Sequence, residues 1–121
     1  MKIKILEPEF AICQINDLKT VNYDDEFLFL SKTDDEISLV CIANAVPIDA
    51  CKCDLGWSAF RIDAVLDFSL VGILASIASL LAVNQIAVFA ISTYNTDYVL
   101  VKSENIKNAI NILKANGYDV S

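Results

Sequence analysis

A long stretch without charge constrains this chain more than any other feature of its sequence. From Phe68 to Thr96 there is no Asp, Glu, Lys or Arg. Hydropathy alone makes such a stretch a candidate membrane-spanning helix. However, Asn84 and Gln85 interrupt the apolar run, no Lys or Arg cluster flanks it, and the apolar piece that follows is short enough for a core strand. We therefore predict a buried helix followed by a buried strand, and no association with a membrane.

The charge balance and the absence of histidine exclude several classes of function. The 121 residues carry a net charge of −7, and an acidic chain repels the phosphate backbone of a nucleic acid. Without histidine there can be no Ser-His-Asp or Cys-His catalytic group and no zinc site that uses imidazole. The 3 glycines form no phosphate-binding loop motif. We therefore expect a protein that is not an enzyme, needs no cofactor and binds no nucleic acid.

Four cysteines occupy two kinds of sequence environment. Cys13 and Cys41 lie within apolar runs, where a free cysteine packs as a small hydrophobic residue. Cys51 and Cys53 form a C-x-C pair in a predicted loop, whose role the sequence leaves open. A four-cysteine zinc site usually needs two close cysteine pairs, and only one is present. We expect free thiols, no metal and a cytoplasmic location, and the first residues of the chain predict no signal peptide.

The order of the predicted elements divides the chain into two halves. Residues 56–121 follow the order β-α-β-β-α-β, which is typical of the ferredoxin-like α+β fold. The strands are predicted at 57–66, 86–93, 98–102 and 118–120, and the helices at 70–82 and 104–115. Asp67 or Ser69 is a candidate N-cap of the first helix. Residues 1–55 contain predicted strands at 3–6, 10–15, 26–31 and 37–42, followed by a loop over 44–54. This β-rich half could be a degenerate copy of the same unit, although no repeat is visible in the sequence.

Three sequence strings resemble a known family. They are DFSLVGIL (67–74) and STYNTDYVLV (92–101) in the C-terminal half, and TDDEISLVC (33–41) in the N-terminal half. They resemble small bacterial proteins with paired ACT domains, and the second string is similar to an element of the CASTOR family of arginine sensors. The resemblance covers roughly residues 10–120. It implies a degenerate ACT-like unit at 1–55 and a ferredoxin-like ACT domain at 56–121.

The resemblance also implies a function. The implied function is that of a non-catalytic regulatory module that binds a small amino acid between its two ACT-like halves or between subunits. Backbone N–H groups at the start of the first helix suit an α-carboxylate, and the resemblance implies that this turn lines the pocket. Asp97 would hold a ligand ammonium or guanidinium group, Thr93 would donate to a ligand oxygen, and Tyr94 would form a wall. The complete set of expected binding residues is Ser38, Leu39, Val71, Gly72, Ile73, Thr93, Tyr94 and Asp97.

Purely structural interpretations remain for the same residues. Gly72 could serve only helix packing, Asp97 could cap a hairpin turn, and Thr93 and Tyr94 could pack as ordinary strand residues. The chain could then be a structural or dimerisation module with a vestigial pocket, acting through a protein partner. The sequence leaves open which amino acid is bound, which partner responds and whether the chain forms a homodimer.

Overall fold

The computed structural model describes residues 1–65 and 72–121, and the protein is a mixed α and β structure. Its strands are β1 (Lys2–Ile15), β2 (Leu28–Lys32), β3 (Ile37–Ile42), β4 (Lys52–Ile62), β5 (Phe89–Ser92), β6 (Asp97–Lys102) and β7 (Asp119–Val120). Its α-helices are α1 (Ile73–Val83) and α2 (Ile106–Ala115), and single turns of 3-10 helix cover Leu18–Thr20, Ala43–Ala45 and Ser103–Asn105. The prediction that the chain contains both helices and strands is confirmed.

Two compact units share the chain. One, which we call the helical unit, contains Met1–Glu7 and Ser58–Ser121, and the other, the hairpin unit, contains Pro8–Trp57. Strands β1 and β4 each contribute one part to each unit. The first residues of the chain therefore fold with its C-terminal part, a placement that the order of elements along the sequence does not reveal.

The sheet of the helical unit has the strand order β7-β1-β4-β6-β5. β7 pairs parallel with β1 at Lys2 and Ile3, and β5 pairs antiparallel with β6. From β4 onward the elements follow the order β-α-β-β-α-β. β1 lies between β7 and β4 in this sheet. The sheet therefore contains one strand, β1, that is not part of the β-α-β-β-α-β order. The ferredoxin-like arrangement of residues 56–121 by themselves thus stays a prediction.

Apolar faces of both helices and of the central strands form the core of the helical unit. The helices contribute Ile77 and Leu81 from α1 and Ala109 and Leu113 from α2, at the spacing expected for one helix face. The sheet contributes the buried residues Ile3, Phe60, Ile62, Val99 and Val101. Burying one such large side chain stabilises a fold by about 1.5–3 kcal/mol relative to leaving it exposed. This core holds the carboxyl end of β4 and the β5–β6 hairpin in place.

The hairpin unit follows the strand order β2-β3-β1-β4. β3 is the inner strand of its hairpin, because it pairs antiparallel with both β1 and β2. The core of this unit consists of Ala11, Cys13, Ile15, Val21, Leu39 and Cys41. Two of the four cysteines are thus core residues, and all four are free of disulfides.

Several strand boundaries differ from the sequence prediction, and β5, for example, begins at Phe89 rather than at residue 86. The sequence predicts a break at Pro8, but β1 runs through it. Pro8 lies between the stretches of β1 that pair with β7 and with β3, so its missing N–H removes no hydrogen bond from those pairings. β4 begins at Lys52 rather than at Trp57, and Cys53 therefore lies in a strand instead of a loop.

The described part of the uncharged stretch contains α1 and β5. α1 begins at Ile73 with Gly72 as its N-cap, whereas the predicted helix start at Leu70 and the candidate caps Asp67 and Ser69 lie outside the described residues. Within residues 1–65 and 72–121, no helix has the length and apolar character that crossing a membrane requires.

Candidate ligand-binding site

A cavity of about 340 Å³ opens in the helical unit where β4 ends and the β5–β6 hairpin turns. Its lining consists of residues 61–65 on one side and Thr93, Asn95, Thr96 and Tyr98 on the other. Pockets that bind small molecules usually have volumes of about 300–1,000 Å³. The cavity is therefore large enough for a small metabolite only.

The hairpin turn beside the cavity is fixed by hydrogen bonds from two threonines. The backbone N–H and the hydroxyl of Thr93 both donate to the carbonyl of Thr96 at 2.9 Å. The hydroxyl of Thr96 in turn donates to the carbonyl of Ile62 in β4 at 2.8 Å, in a buried position. The Thr93 bonds close the turn, and the Thr96 bond attaches it to β4, so the two walls of the cavity are joined by a hydrogen bond.

Replacing Thr96 by valine is expected to lower the free energy of unfolding by about 1–2 kcal/mol. Valine keeps the shape of the side chain but removes the hydroxyl, and the buried Ile62 carbonyl then loses that donor. Urea denaturation measures the change, and the matched variant Thr96→Ser, which keeps the hydroxyl, should lose less. A Thr96→Val protein as stable as the wild type would show that this bond does not hold the turn.

Opposite charges lie side by side in the cavity lining. Arg61 Nε is 3.7 Å from Asp63 Oδ1, and the two side chains are 27% and 46% exposed. A partly exposed ion pair of this kind contributes about 0–1 kcal/mol to stability. The pair is therefore easily opened by a ligand that offers a carboxylate to the guanidinium and a cation to the carboxylate.

The predicted residues of the β5–β6 hairpin lie in and beside the cavity. Thr93 lines it. Tyr94 is 82% exposed in the same turn and is outside the lining. Asp97 is also outside the lining, and its carboxylate accepts a hydrogen bond of 2.6 Å from the hydroxyl of Ser92, its partner across the hairpin. A hydrogen bond across the hairpin is consistent with the purely structural interpretation, in which Asp97 caps the hairpin turn.

The predicted residues at the start of α1 are only partly described. Gly72 has a φ of +82°, a conformation that favours glycine, and its carbonyl accepts the Ser76 N–H at 2.8 Å. A Cβ added at Gly72 would meet no atom within 4 Å among the described residues. Ile73 packs against the core. Val71 lies outside the described residues.

Ser38 and Leu39, predicted from the N-terminal half, are strand residues of the hairpin unit. Leu39 is a core residue with 1% of its surface exposed. Ser38 is half-buried and pairs with Gln14 of β1 and Ser31 of β2. The described residues that line the cavity belong to the other unit, the helical one.

Sequence reasoning missed most of the cavity lining. Arg61, Asp63, Asn95, Thr96 and Tyr98 were absent from the predicted set. One signal was available, because Arg61 is the only arginine among 121 residues. It lies on a predicted strand, where an arginine with an acid two residues later places both charged groups on one face.

The β2–β3 turn of the hairpin unit repeats the local structure of the β5–β6 turn. Thr33 donates its N–H to the carbonyl of Glu36 at 2.9 Å, as Thr93 does to Thr96. The strands that follow, β3 and β6, have the same order of buried and half-buried residues. Each then continues into a single turn of 3-10 helix. The two hairpins are thus alike from the turn through the strand to the helical turn.

Residues 52–115 match the model of the ACT domain family. The chain belongs to the ACT domain family. ACT domains are regulatory modules without catalytic activity of their own, and the matched residues include α1, β5, β6 and α2. The ACT-type resemblance is therefore confirmed, and the paired, CASTOR-like arrangement stays a prediction.

Solved structures show how widely the fold of this ACT domain protein occurs. A protein from Agobacterium tumefaciens is 30% identical, with a TM-score of 0.86 over 99% of this chain and 91% of that chain. The aspartokinase alpha and beta subunits are 14% identical, with a TM-score of 0.63 over 95% and 96%. A Porphyromonas gingivalis domain, described as a candidate C-terminal regulatory domain of aspartate kinase, is 14% identical, with a TM-score of 0.55 over 93% and 92%. The last two show a shared fold. No curated protein sequence matches the chain.

Proposed function

We propose that this chain is a non-catalytic regulatory module that binds a small amino acid in the cavity at the carboxyl end of β4. The observation that carries the proposal is the presence of Arg61 and Asp63 together in the lining of one small cavity. An α-amino acid presents a carboxylate and an ammonium group a short distance apart. A guanidinium binds the first through two parallel hydrogen bonds, and a carboxylate binds the second.

The neutral lining residues are suited to the rest of such a ligand. Thr93, Asn95 and Tyr98 provide hydroxyl and amide groups that recognise polar side chains. Tyr94, exposed in the same turn, would form a wall over a bound ligand. Asp97, already held by Ser92, would act as a second acceptor for the ammonium group.

We include the start of α1 in the proposed site. The backbone N–H groups at Val71, Gly72 and Ile73 would strengthen binding of the carboxylate at the helix N-terminus. Ser38 and Leu39, which the family resemblance implies as binding residues, belong to the hairpin unit, which we regard as the degenerate ACT-like half. The shared turn geometry of Thr33 and Thr93 supports that assignment.

Regulation then requires the ligand to prefer one arrangement of the protein. A ligand shifts an equilibrium only by the difference between its affinities for the two states. The receiver of the signal would be a protein partner or a second copy of this chain in the cytoplasm. No cofactor or metal takes part in the proposal.

A thermal-shift panel with the standard amino acids at millimolar concentration tests the proposal. A ligand at about 100 times its dissociation constant stabilises the fold by about 2.7 kcal/mol, which raises the melting temperature by roughly 10 °C for a domain of this size. Calorimetric titration of each positive amino acid then gives the affinity and the stoichiometry. A panel with no shift, repeated by calorimetry, would contradict amino-acid binding.

A second candidate function is a structural or dimerisation module with a vestigial pocket. The observation that favours it is the position of β5 at the end of the strand order of the helical unit, since edge strands readily pair with another chain. Light scattering after gel filtration at several protein concentrations tests it. A dimer without ligand would support this function, and a monomer at every concentration would contradict it.

A further inference from the structure

The hairpin unit contains a pair of thiols that the amino-acid site does not use. Cys13 lies in β1 and Cys53 in β4, two neighbouring strands, and their Sγ atoms are 3.4 Å apart. A disulfide bond requires about 2 Å between the sulfurs. The two sulfurs therefore need to approach by little more than 1 Å, whereas the residues are separated by 40 positions along the chain.

The two thiols differ in their access to solvent. Cys53 is exposed, so a soluble oxidant can reach its sulfur. Cys13 is 3% exposed, so it is reached through Cys53 rather than from solvent. This combination is suited to an attacking cysteine that reacts first and a buried cysteine that resolves the product.

The other cysteines are placed for different roles. Cys41 is buried beside Cys13, and burial raises the pKa of its thiol. Cys41 is consequently a poor nucleophile. Cys51 is exposed, and its backbone N–H donates to the carbonyl of Gln14 at 2.9 Å. Among residues 1–65 and 72–121, no group of three or more Cys, Asp or Glu side chains could hold a metal ion.

We propose that Cys13 and Cys53 form a reversible disulfide by exchange with a low-molecular-weight disulfide. The Cys53 thiol loses its proton and attacks one sulfur of the oxidant, forming a mixed disulfide and releasing one thiol. The Cys13 thiol then loses its proton and attacks the Cys53 sulfur, and the bond to the oxidant breaks, releasing a second thiol. The protein loses two electrons and two protons, and one small disulfide is reduced to two thiols.

The second step has a defined dependence on pH. Burial and the contact with Cys53 raise the pKa of the Cys13 thiol, so little of it is thiolate at neutral pH. Because only the thiolate attacks, the crosslinking step should accelerate as the pH rises, by about tenfold per pH unit while the pH stays below that pKa. At lower pH the mixed disulfide on Cys53 should accumulate before the crosslink forms.

Oxidised glutathione, followed by alkylation and peptide mapping of the wild-type protein, tests the proposal. We expect one peptide pair joined through Cys13 and Cys53, which dithiothreitol separates. The variant Cys51→Ser, which removes an exposed thiol, should show the same crosslink. Its intact mass after oxidation should be about 2 Da lower than the mass of the same variant in its reduced form. The matched exposed variant Cys53→Ser should show no crosslink to Cys13.

Three results would overturn the proposal. A crosslink between Cys51 and Cys53 would assign the oxidation to the C-x-C pair, and one between Cys13 and Cys41 would assign it to the two core residues. A glutathione adduct on Cys53 that never converts to a crosslink, even at high pH, would show that Cys13 does not resolve it. None of these results depends on whether the cavity binds an amino acid.

Discussion

Replacing Phe60 by alanine is expected to lower the free energy of unfolding by about 3–5 kcal/mol. Phe60 lies in β4 with none of its surface exposed, and it packs in the core of the helical unit. The substitution removes the ring and leaves a cavity between the sheet and the helices. Because a domain of this kind is stable by about 5–15 kcal/mol, this single change should remove a large part of its stability.

Urea denaturation followed by circular dichroism measures the effect of the Phe60 substitution. The control is Val83→Ala at the end of α1, where the side chain is 77% exposed. This control should change the free energy of unfolding by no more than about 0.5 kcal/mol. A loss below about 1 kcal/mol for Phe60→Ala would mean that the ring is not enclosed as described.

Replacing Arg61 by alanine is expected to weaken binding of the amino acid that the panel identifies by about 10- to 100-fold. A hydrogen bond between charged groups contributes about 1.5–3 kcal/mol, and 1.4 kcal/mol corresponds to a factor of ten in the dissociation constant. The stability of the fold should change little, because the Arg61 side chain is 27% exposed and its ion pair with Asp63 is weak. Calorimetry and urea denaturation of the same variant separate the two effects.

Three companion variants show how the cavity uses its charges. Arg61→Lys keeps the charge but loses the planar fork, so its affinity should fall between those of the wild type and Arg61→Ala. Asp63→Asn and Asp97→Asn test which acid holds the ammonium group, and we expect the larger loss at Asp63, which lines the cavity. Unchanged affinity in Arg61→Ala would remove the cavity as the site, while a positive amino-acid panel would still stand.

Much of the fold was predictable from local sequence patterns. Apolar residues recur at i, i+3 and i+4 within the predicted helices 70–82 and 104–115, which is typical of helices with one buried face, and Ile77, Leu81, Ala109 and Leu113 are buried there. The polar residues at 32–36 and 94–97 predicted two turns, and each turn connects two antiparallel strands in the structure. These patterns work because the alternation of buried and exposed positions follows from the repeat of each element.

Strand ends were harder to predict than helix faces. Pro8 suggested an interruption, but the effect of a missing N–H depends on whether the neighbouring strand needs a donor at that position. Likewise, the residues from Lys52 to Asp54 carry no strand pattern of their own and are strand because β1 lies beside them. Neither fact is encoded in the residues themselves.

The candidate site shows the same limit. The sequence strings identified the β5–β6 hairpin, and Thr93 does line the cavity. The strings did not identify Arg61 or Asp63, because their importance comes from the side-by-side packing of β4 and β6. The bond from Thr96 to Ile62, which connects the β5–β6 turn to β4, joins residues 34 positions apart.

The sequence by itself determined the class of the fold, the faces of its helices, the two hairpin turns and membership of the ACT type. Those features depend on residue spacing over a few positions, which short-range geometry and burial dictate. Only the tertiary structure decided that the first residues pair with the last strand, that Arg61 and Asp63 share a cavity with the hairpin turn, and that Cys13 touches Cys53. Each of these contacts joins segments that are far apart in the sequence. The contacts depend on the order of strands in the sheet, which local sequence patterns do not predict.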